Sequence, residues 1–208
     1  ATELSFTINV ETEKAIQSHK NLLKKISSER VRDELIKIIM SDEPRKGFEM
    51  LERLGILEII LPELAVAKGV TQNQAHAFDV FEHLLRTLQH SADKKWPLEI
   101  RLSALFHDIS KPQTKGVSHE TGQITFYGHE VVGSRVTKKI LERLKFPQKT
   151  IDKVAKMIRW HMFFSDTQTI TLSAVRRMIN NVGKENIWDL MNIRVCDRIG
   201  TGRPKENP

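Results

Sequence analysis

Cysteine is nearly absent: Cys196 stands alone in 208 residues. A single thiol excludes an internal disulfide framework and suits a reducing compartment, so a cytoplasmic protein is the expectation. Glycine and proline are few, 10 and 7, and neither low-complexity segments nor internal repeats occur. Long apolar runs are missing as well. The greasiest stretch, Ile56–Ala67, is broken by Glu58, Pro62 and Glu63, which argues against a membrane span or a membrane partner. A signal-peptide layout is not seen either. What is left is the composition of an ordinary globular protein, 39% apolar and 28% charged, long enough to bury a sizeable core as one large domain or two small ones.

Charge is present in excess of one sign. Lys and Arg number 33 against 26 Asp and Glu, a net +7 with a pI near 9.5. Such a balance favours a polyanionic partner, RNA or DNA first, although basic charge alone identifies none. The basic residues show some order. Lys149, Lys153 and Lys156 line one side of a predicted helix whose other side carries Ile151, Val154 and Ile158; Arg176-Arg177 and Lys138-Lys139 add to them. Stripes of this kind are commonly solvated faces, and in an RNA-handling protein they become salt-sensitive phosphate contacts.

Apolar residues recur with helical spacing along most of the chain, which predicts an all-α fold. Val31, Leu35, Ile38 and Ile39 form one stripe behind a Ser27 or Ser28 cap. A second helix starts near Ser41-Asp42, takes Pro44 into its first turn and stops at Gly55. Leu57, Ile60 and Leu61 make a short greasy turn before Pro62. Lys68–Gln74 reads as a loop or linker and places a domain boundary. Beyond it, Val80, Phe81, Leu84, Leu85 and Leu88 mark an amphipathic helix, and Leu98, Leu102, Leu105 and Ile109 another. The latter is expected to run to Lys111-Pro112, where proline stops it. Thr114–Tyr127 is polar and reads as a long loop or a small hairpin. Helices follow at about 129–144, 148–161, 172–182 and 185–198, the third capped by Thr171 and ended by Gly183.

The residues that bear chemistry centre on His107-Asp108, inside Ser103-Ala104-Leu105-Phe106-His107-Asp108-Ile109-Ser110-Lys111-Pro112. Adjacent helical residues point about 100° apart, so both reach one ion only if it sits between their directions. A His-Asp step on a core helix buries charge that needs compensation, and metal coordination provides it. His83, His129, His161 and Asp197 are spaced around the pair at long, irregular intervals. Imidazoles and carboxylates converging from several helices suit one or two divalent ions, Ni, Mn, Fe, Co, Zn or Mg, rather than a structural zinc clip. Asp108, with two oxygens, is able to bridge two ions. His19, His76, His90 and His119, each taken singly, read as polar edge residues. Lys111 and Arg159 read either as surface charges or as groups that steady phosphate oxygens beside Asp108.

His83, His107-Asp108 and Asp197 together resemble the H…HD…D signature of the HD-domain metal-dependent phosphohydrolases. His129 in Phe126-Tyr127-Gly128-His129-Glu130 and His161 in Ile158-Arg159-Trp160-His161-Met162 are similar to the added histidines with which some HD proteins hold a second metal. One departure is Ser110, where the family usually has glycine; serine costs about 1 kcal/mol there if the residue must be left-handed. The resemblance extends upstream. Phe6-Thr7-Ile8, Ile26-Ser27-Ser28-Glu29-Arg30-Val31-Arg32-Asp33-Glu34-Leu35 and Leu54-Gly55-Ile56-Leu57-Glu58-Ile59-Ile60-Leu61-Pro62-Glu63-Leu64 resemble the neck and body of bacterial class II tRNA nucleotidyltransferases, the CCA-adding enzymes and poly(A) polymerases. Asp79-Val80-Phe81-Glu82-His83 and Asp197-Arg198-Ile199-Gly200 are close to the wording of the HD domain that often follows in that family.

The resemblance implies two units, a neck/body-like RNA-binding segment over 1–68 and an HD bundle over 69–208. It also implies that the family's catalytic head lies upstream of Ala1, so that these residues alone add no nucleotide. The function it implies is tRNA 3′-end processing with an HD domain that hydrolyses phosphoesters, a 2′,3′-cyclic phosphate or a phosphomonoester at an RNA or nucleotide end, by metal-activated water. Two further readings stay open: an HD scaffold that only binds tRNA, and a free-standing nucleotide phosphohydrolase. Keeping all six candidate ligands argues against the first, and the neck-like opening residues argue against the second.

Overall fold

A computed structural model describes residues 6–73, 77–165 and 170–202. The fold is all-α, with one short hairpin as the exception among the described residues. Its helices are α1 (Val10–His19), α2 (Ser28–Met40), α3 (Pro44–Arg53), α4 (Leu57–Ile60), α5 (Pro62–Ala65), α6 (Val80–Asp93), α7 (Leu98–Phe106), α8 (Lys111–Thr114), α9 (His129–Arg143), α10 (Gln148–Trp160), α11 (Leu172–Val182) and α12 (Ile187–Gly200). Strands β1 (Gly116–Val117) and β2 (Ile124–Thr125) pair antiparallel, so the polar stretch before His129 is a hairpin. No helix of the described residues is long and apolar enough to cross a membrane.

Local chemistry accounts for most boundaries. The Asp79 carboxylate accepts from Glu82 N at 2.8 Å and caps α6; the Thr171 hydroxyl accepts from Ala174 N at 3.2 Å and caps α11. Pro44 occupies the first turn of α3, and Gly55 follows that helix at φ 66°. Ser27 stands at the cap position of α2, but its side chain makes no capping hydrogen bond. Pro112 does not terminate the helix that precedes it. α7 ends at Phe106, and Pro112 lies in the first turn of α8, where its missing N–H costs nothing. Between them the chain tightens through Ile109 N→Phe106 O at 3.1 Å and Lys111 N→Asp108 O at 3.0 Å. His107 and Asp108 therefore sit on this tightened turn.

One apolar cluster joins α2–α5 to α6, α7, α9 and α10 through Leu35, Phe48, Leu64, Leu84, Leu105 and Ile158 among others. A second, with Ile100, Met157, Met178, Leu190 and Ile193, seats α11 and α12 against α7 and α10. The core thus runs across residue 68. The loop after α5 is pinned to the start of α6 by Gly69 N→Asp79 Oδ2 at 2.7 Å and Val80 N→Val70 O at 3.0 Å. Gln74 at the end of that loop, and His76, lie outside the described residues. Helix α1 buries nothing and is held by its polar side, where the Arg53 guanidinium grips the Glu13 carboxylate at 2.6 and 3.0 Å.

Candidate metal centre

Six side chains from five elements meet in the middle of the bundle. His83 comes from α6, His107 and Asp108 from the turn after α7, His129 from the first residue of α9, His161 from the residue after α10, and Asp197 from α12. None of the six is more than 7% exposed. Left-handed Gly128, at φ 73°, turns the chain from the hairpin into α9 and sets His129 at its start. Gly200 has a comparable role on α12. A Cβ there would stand 2.4 Å from Thr87 Cγ2 and 3.0 Å from His83 Nδ1, so only glycine lets α12 come close enough to set Asp197 beside His83.

Three imidazoles are fixed in the same way. Nδ1 of His107, His129 and His161 lies 2.9, 2.7 and 2.7 Å from the carbonyl oxygens of Ala104, Phe126 and Ile158, each three residues earlier. Donation from Nδ1 leaves the Nε2 lone pair for another partner. These Nε2 atoms converge: His83 and His107 at 3.1 Å, His129 and His161 at 3.3 Å. Asp108 divides its oxygens between the two pairs. Its Oδ2 is 3.3 Å from both His83 and His107 Nε2, and its Oδ1 is 3.3 Å from His129 Nε2 and 3.8 Å from His161 Nε2. Asp197 Oδ1 completes the first pair, 3.3 and 3.5 Å from the same two nitrogens.

Ligand atoms about 2.1 Å from one ion stand about 3.0–3.4 Å from each other, and most of these separations fall in that range. Two groups result, His83, His107, Asp108 and Asp197, and Asp108, His129 and His161, with Asp108 shared. Facing lone pairs at such distances repel unless a cation or a proton lies between them. The donor set fits a divalent cation in either group.

Titration behaviour reflects the same crowding. Burial disfavours a charged His107, yet Asp108, with Asp197 beyond it, overrides burial and holds its pKa up at about 10. His83 and His129 are also raised, against burial, by hydrogen bonds to the carboxylates. His161 moves the other way, to about 3, through burial and the neighbouring His107 charge. Burial would lift Asp108 and Asp197; Lys111 and His107 for the first, and the His107 and His83 hydrogen bonds for the second, keep both well below the usual carboxylate range.

Two protein cations adjoin the carboxylates. Lys111 is buried, with Nζ 2.6 Å from Asp108 Oδ2 and 2.6 Å from Gln72 Oε1. Arg194, one turn before Asp197, sets Nη1 2.5 Å from its Oδ2. The carboxylates are thereby balanced before any ion is counted, so a divalent ion would make the site net positive and suited to an anion. A cleft of about 710 Å3 opens onto the cluster, with Asp108, Lys111, Phe126, His129, Arg194 and Asp197 in its walls. A mainly apolar groove of similar size along α2, walled on its other side by Leu23, Ile26, Leu51, Ile56 and Ile60, holds none of the cluster.

The expected site residues are not all in one place. The six metal candidates and Lys111 come together. Arg159 does not line the cleft: it reaches Glu130 at 3.5 Å and lies against Trp160. Arg194 stands on the cleft wall instead, and the only sequence signal for it is its spacing of three from Asp197. Ser110 is right-handed at φ −95°, so serine carries no left-handed cost there. Its hydroxyl donates to His129 O at 2.7 Å, a bond glycine cannot make. Of the basic residues, Lys138, Lys139, Lys149, Arg176 and Arg177 are exposed. Lys153 pairs with Asp189 at 2.7 Å and Lys156 turns to Val182 O, so these two are engaged in holding α10 to its neighbours.

Residues 80–199 match the family described as HD domain, and residues 5–68 the one described as "Probable RNA and SrmB-binding site of polymerase A". Among curated relatives, an A-adding tRNA nucleotidyltransferase of Deinococcus radiodurans is 34% identical over 99% of this chain and 48% of its own length. A CC-adding tRNA nucleotidyltransferase of Thermus thermophilus is 33% identical over 97% of this chain and 47% of its own. A multifunctional CCA protein of Neisseria gonorrhoeae is 28% identical over 87% and 45%. The chain spans about half the length of the curated relatives it matches. With the H…HD…D residues gathered in one buried cluster and an RNA-binding match directly upstream, the chain belongs to the HD-domain family, in the branch where that domain follows the polymerase-A RNA-binding region and whose relatives are tRNA nucleotidyltransferases.

Proposed function

We propose that this chain acts in tRNA 3′-end processing, and that its HD domain is a metal-dependent phosphohydrolase acting on a 2′,3′-cyclic phosphate or phosphomonoester at an RNA or nucleotide end. The observation that carries this reading is the pair of ligand groups sharing Asp108 at the floor of an open cleft. His83, His107, Asp108 and Asp197 would hold one divalent ion, and Asp108, His129 and His161 a second. Bound there, such ions supply Lewis acidity and a water of lowered pKa.

The chain's own residues have separate tasks. The backbone carbonyls behind His107, His129 and His161 fix each ring's tautomer, so that the ligand face is ready before substrate arrives. Lys111 orients Asp108, and Arg194 orients Asp197. A guanidinium has five N–H donors, and among the described residues Arg194 directs its one side-chain bond to Asp197, which leaves donors on the cleft wall for phosphate oxygens. The nucleotidyl transfer that names the relatives is left, on this reading, to the half of them that this chain does not cover. Lys138, Lys139, Lys149, Arg176 and Arg177 are exposed and suit non-specific contacts to an RNA backbone.

A second reading is an HD scaffold that binds tRNA without chemistry, and the balance of the two carboxylates by Lys111 and Arg194 favours it. Metal analysis of purified protein, with hydrolysis of adenosine 2′,3′-cyclic phosphate by wild type and Asp108→Ala, separates the two. Hydrolysis stimulated by metal and lost in Asp108→Ala supports the phosphohydrolase. Protein that takes up no metal, hydrolyses nothing and still binds tRNA in a salt-sensitive way is the scaffold.

A further inference from the structure

The protein's one tyrosine stands on the wall of the cleft above the His/Asp cluster. Its neighbour Phe126 turns inward, buried, with the Lys111 ammonium 5.2 Å from its ring. Tyr127 turns outward and is 83% exposed. The next residue, Gly128, is left-handed and leads straight into His129, so Tyr127 is tied to the floor of the site by two residues of backbone. An aromatic ring tethered by a short stretch of backbone beside a cation-lined floor and left open to solvent is a surface for stacking.

The cleft has two chemically distinct ends. Its floor holds the carboxylates and imidazoles with Lys111 and Arg194, and suits a phosphate. Its rim holds Tyr127 and Met162, the latter 40% exposed, and suits a flat apolar ring. At about 710 Å3 it lies well inside the range of about 300–1,000 Å3 that takes a small organic ligand, and is far larger than bare phosphate requires.

We propose that Tyr127 stacks the base of the nucleotide that this reading puts in the cleft, with the phosphate held at the floor beside Arg194, so that Tyr127 sets the preference for nucleotides over other phosphoesters. The proposal rests on the phosphoester reading of the cluster. Stacking serves any base, so the preference is for a nucleotide as such. The nucleotide comes either from a free mononucleotide or from the 3′ end of an RNA, which present the same base and phosphate.

Calorimetric titration of the full chain with adenosine 2′-phosphate and with inorganic phosphate, both with divalent metal chelated so that no turnover occurs, tests it. Wild type should bind the nucleotide more tightly than phosphate. Tyr127→Ala should lose about tenfold in nucleotide affinity, a typical stacking contribution, and far less for phosphate; Tyr127→Phe should bind like wild type. Arg194→Gln should weaken both ligands in parallel. A wild type that binds the two equally, or a Tyr127→Ala variant that loses both alike or neither, overturns the proposal. A short RNA ending in a 3′-phosphate, run in the same series, should also depend on Tyr127, and the tighter of the two nucleotide ligands names the source. If no hydrolysis occurs but the Tyr127-dependent preference is present, the phosphohydrolase reading fails while Tyr127 keeps its binding role. Active hydrolysis with a nucleotide KM unmoved by Tyr127→Ala sinks this proposal alone.

Discussion

The stretch from Leu98 to Asp108 buries charge in two ways. Near its start, Arg101 is 2% exposed and makes no ion pair among the described residues, yet its donors are used: Nε donates to Trp96 O at 2.9 Å, and Nη1 to Ile39 O and Ser41 O at 2.9 and 3.0 Å. Those last two carbonyls end α2, where the helix dipole favours a cation. At the other end, His107 and Asp108 are as deeply buried, but their ligand atoms face other ligand atoms. One site is closed by backbone carbonyls; the other gathers a donor set that fits a divalent cation. A buried polar group whose partners are all protein holds the fold together, and one aimed at like groups marks chemistry.

Breaking the closed site should have the largest effect on stability. Arg101→Leu strands the C-terminal carbonyls of α2 and uncouples it from α7, at an expected cost of about 3 kcal/mol or more in urea unfolding. Metal uptake by the fraction that remains folded should be normal; loss of metal from well-folded Arg101→Leu protein would erase the contrast between the two sites.

At the open site, protons and metal compete. His107 is raised from 6.5 to about 10, so in metal-free protein it contributes stability that is full below about pH 6.5 and lost as pH rises towards about 10. The lowered carboxylates stay charged throughout that window. Metal requires the same nitrogen without its proton, so affinity should rise by about tenfold, 1.4 kcal/mol, per pH unit for each proton displaced. Thermal melts with and without metal at about pH 6, 7, 8 and 9 check this: the metal-induced rise in Tm should grow with pH. A rise that is flat or shrinks would mean that the cluster binds its cation without losing a proton.

Gly200→Ala tests the approach of α12. Its Cβ meets Thr87 and His83, and moving α12 away should cost about 1–3 kcal/mol, with metal affinity down about tenfold through Asp197. Lost stability with unchanged metal affinity would place Asp197 outside the ligand set. The smallest effect is expected from Ser110→Ala. It removes the hydrogen bond to His129 O and should lower stability by about 1 kcal/mol. An unchanged denaturation midpoint would show that this bond adds nothing to the position of His129.

Much of the fold was legible in the amino-acid order, because helix faces, caps and stop residues are local. Thr171 and Gly183 bracket α11 as their chemistry predicts, and the polar run before His129 is a hairpin. The expected stop at Pro112 was misplaced. Proline excludes only the helix interior, and what ends α7 is the tightened turn that carries His107 and Asp108. For the site, residue types at suggestive intervals named His83, His107, Asp108, His129, His161 and Asp197 as candidates. Spacing along a chain does not say which side of a distant helix an arginine will face: Arg159 reads from sequence either as a surface charge or as a phosphate contact and lies off the cleft wall, while Arg194, three residues before Asp197, stands on it.

By itself the sequence determined an all-α chain, the helix ends set by local caps, and a set of imidazoles and carboxylates, scattered along the chain, of the kinds that suit a divalent ion. Only the tertiary structure decided that Asp108 turns one oxygen to each histidine pair, that Gly200 lets α12 close upon His83, that Arg101 finds its partners in α2, and that Tyr127 is left facing solvent over the cluster. The physical reason is range. Propensities and caps act over a few residues, whereas a ligand sphere is made by helices far apart in sequence whose separation is set by the packing between them.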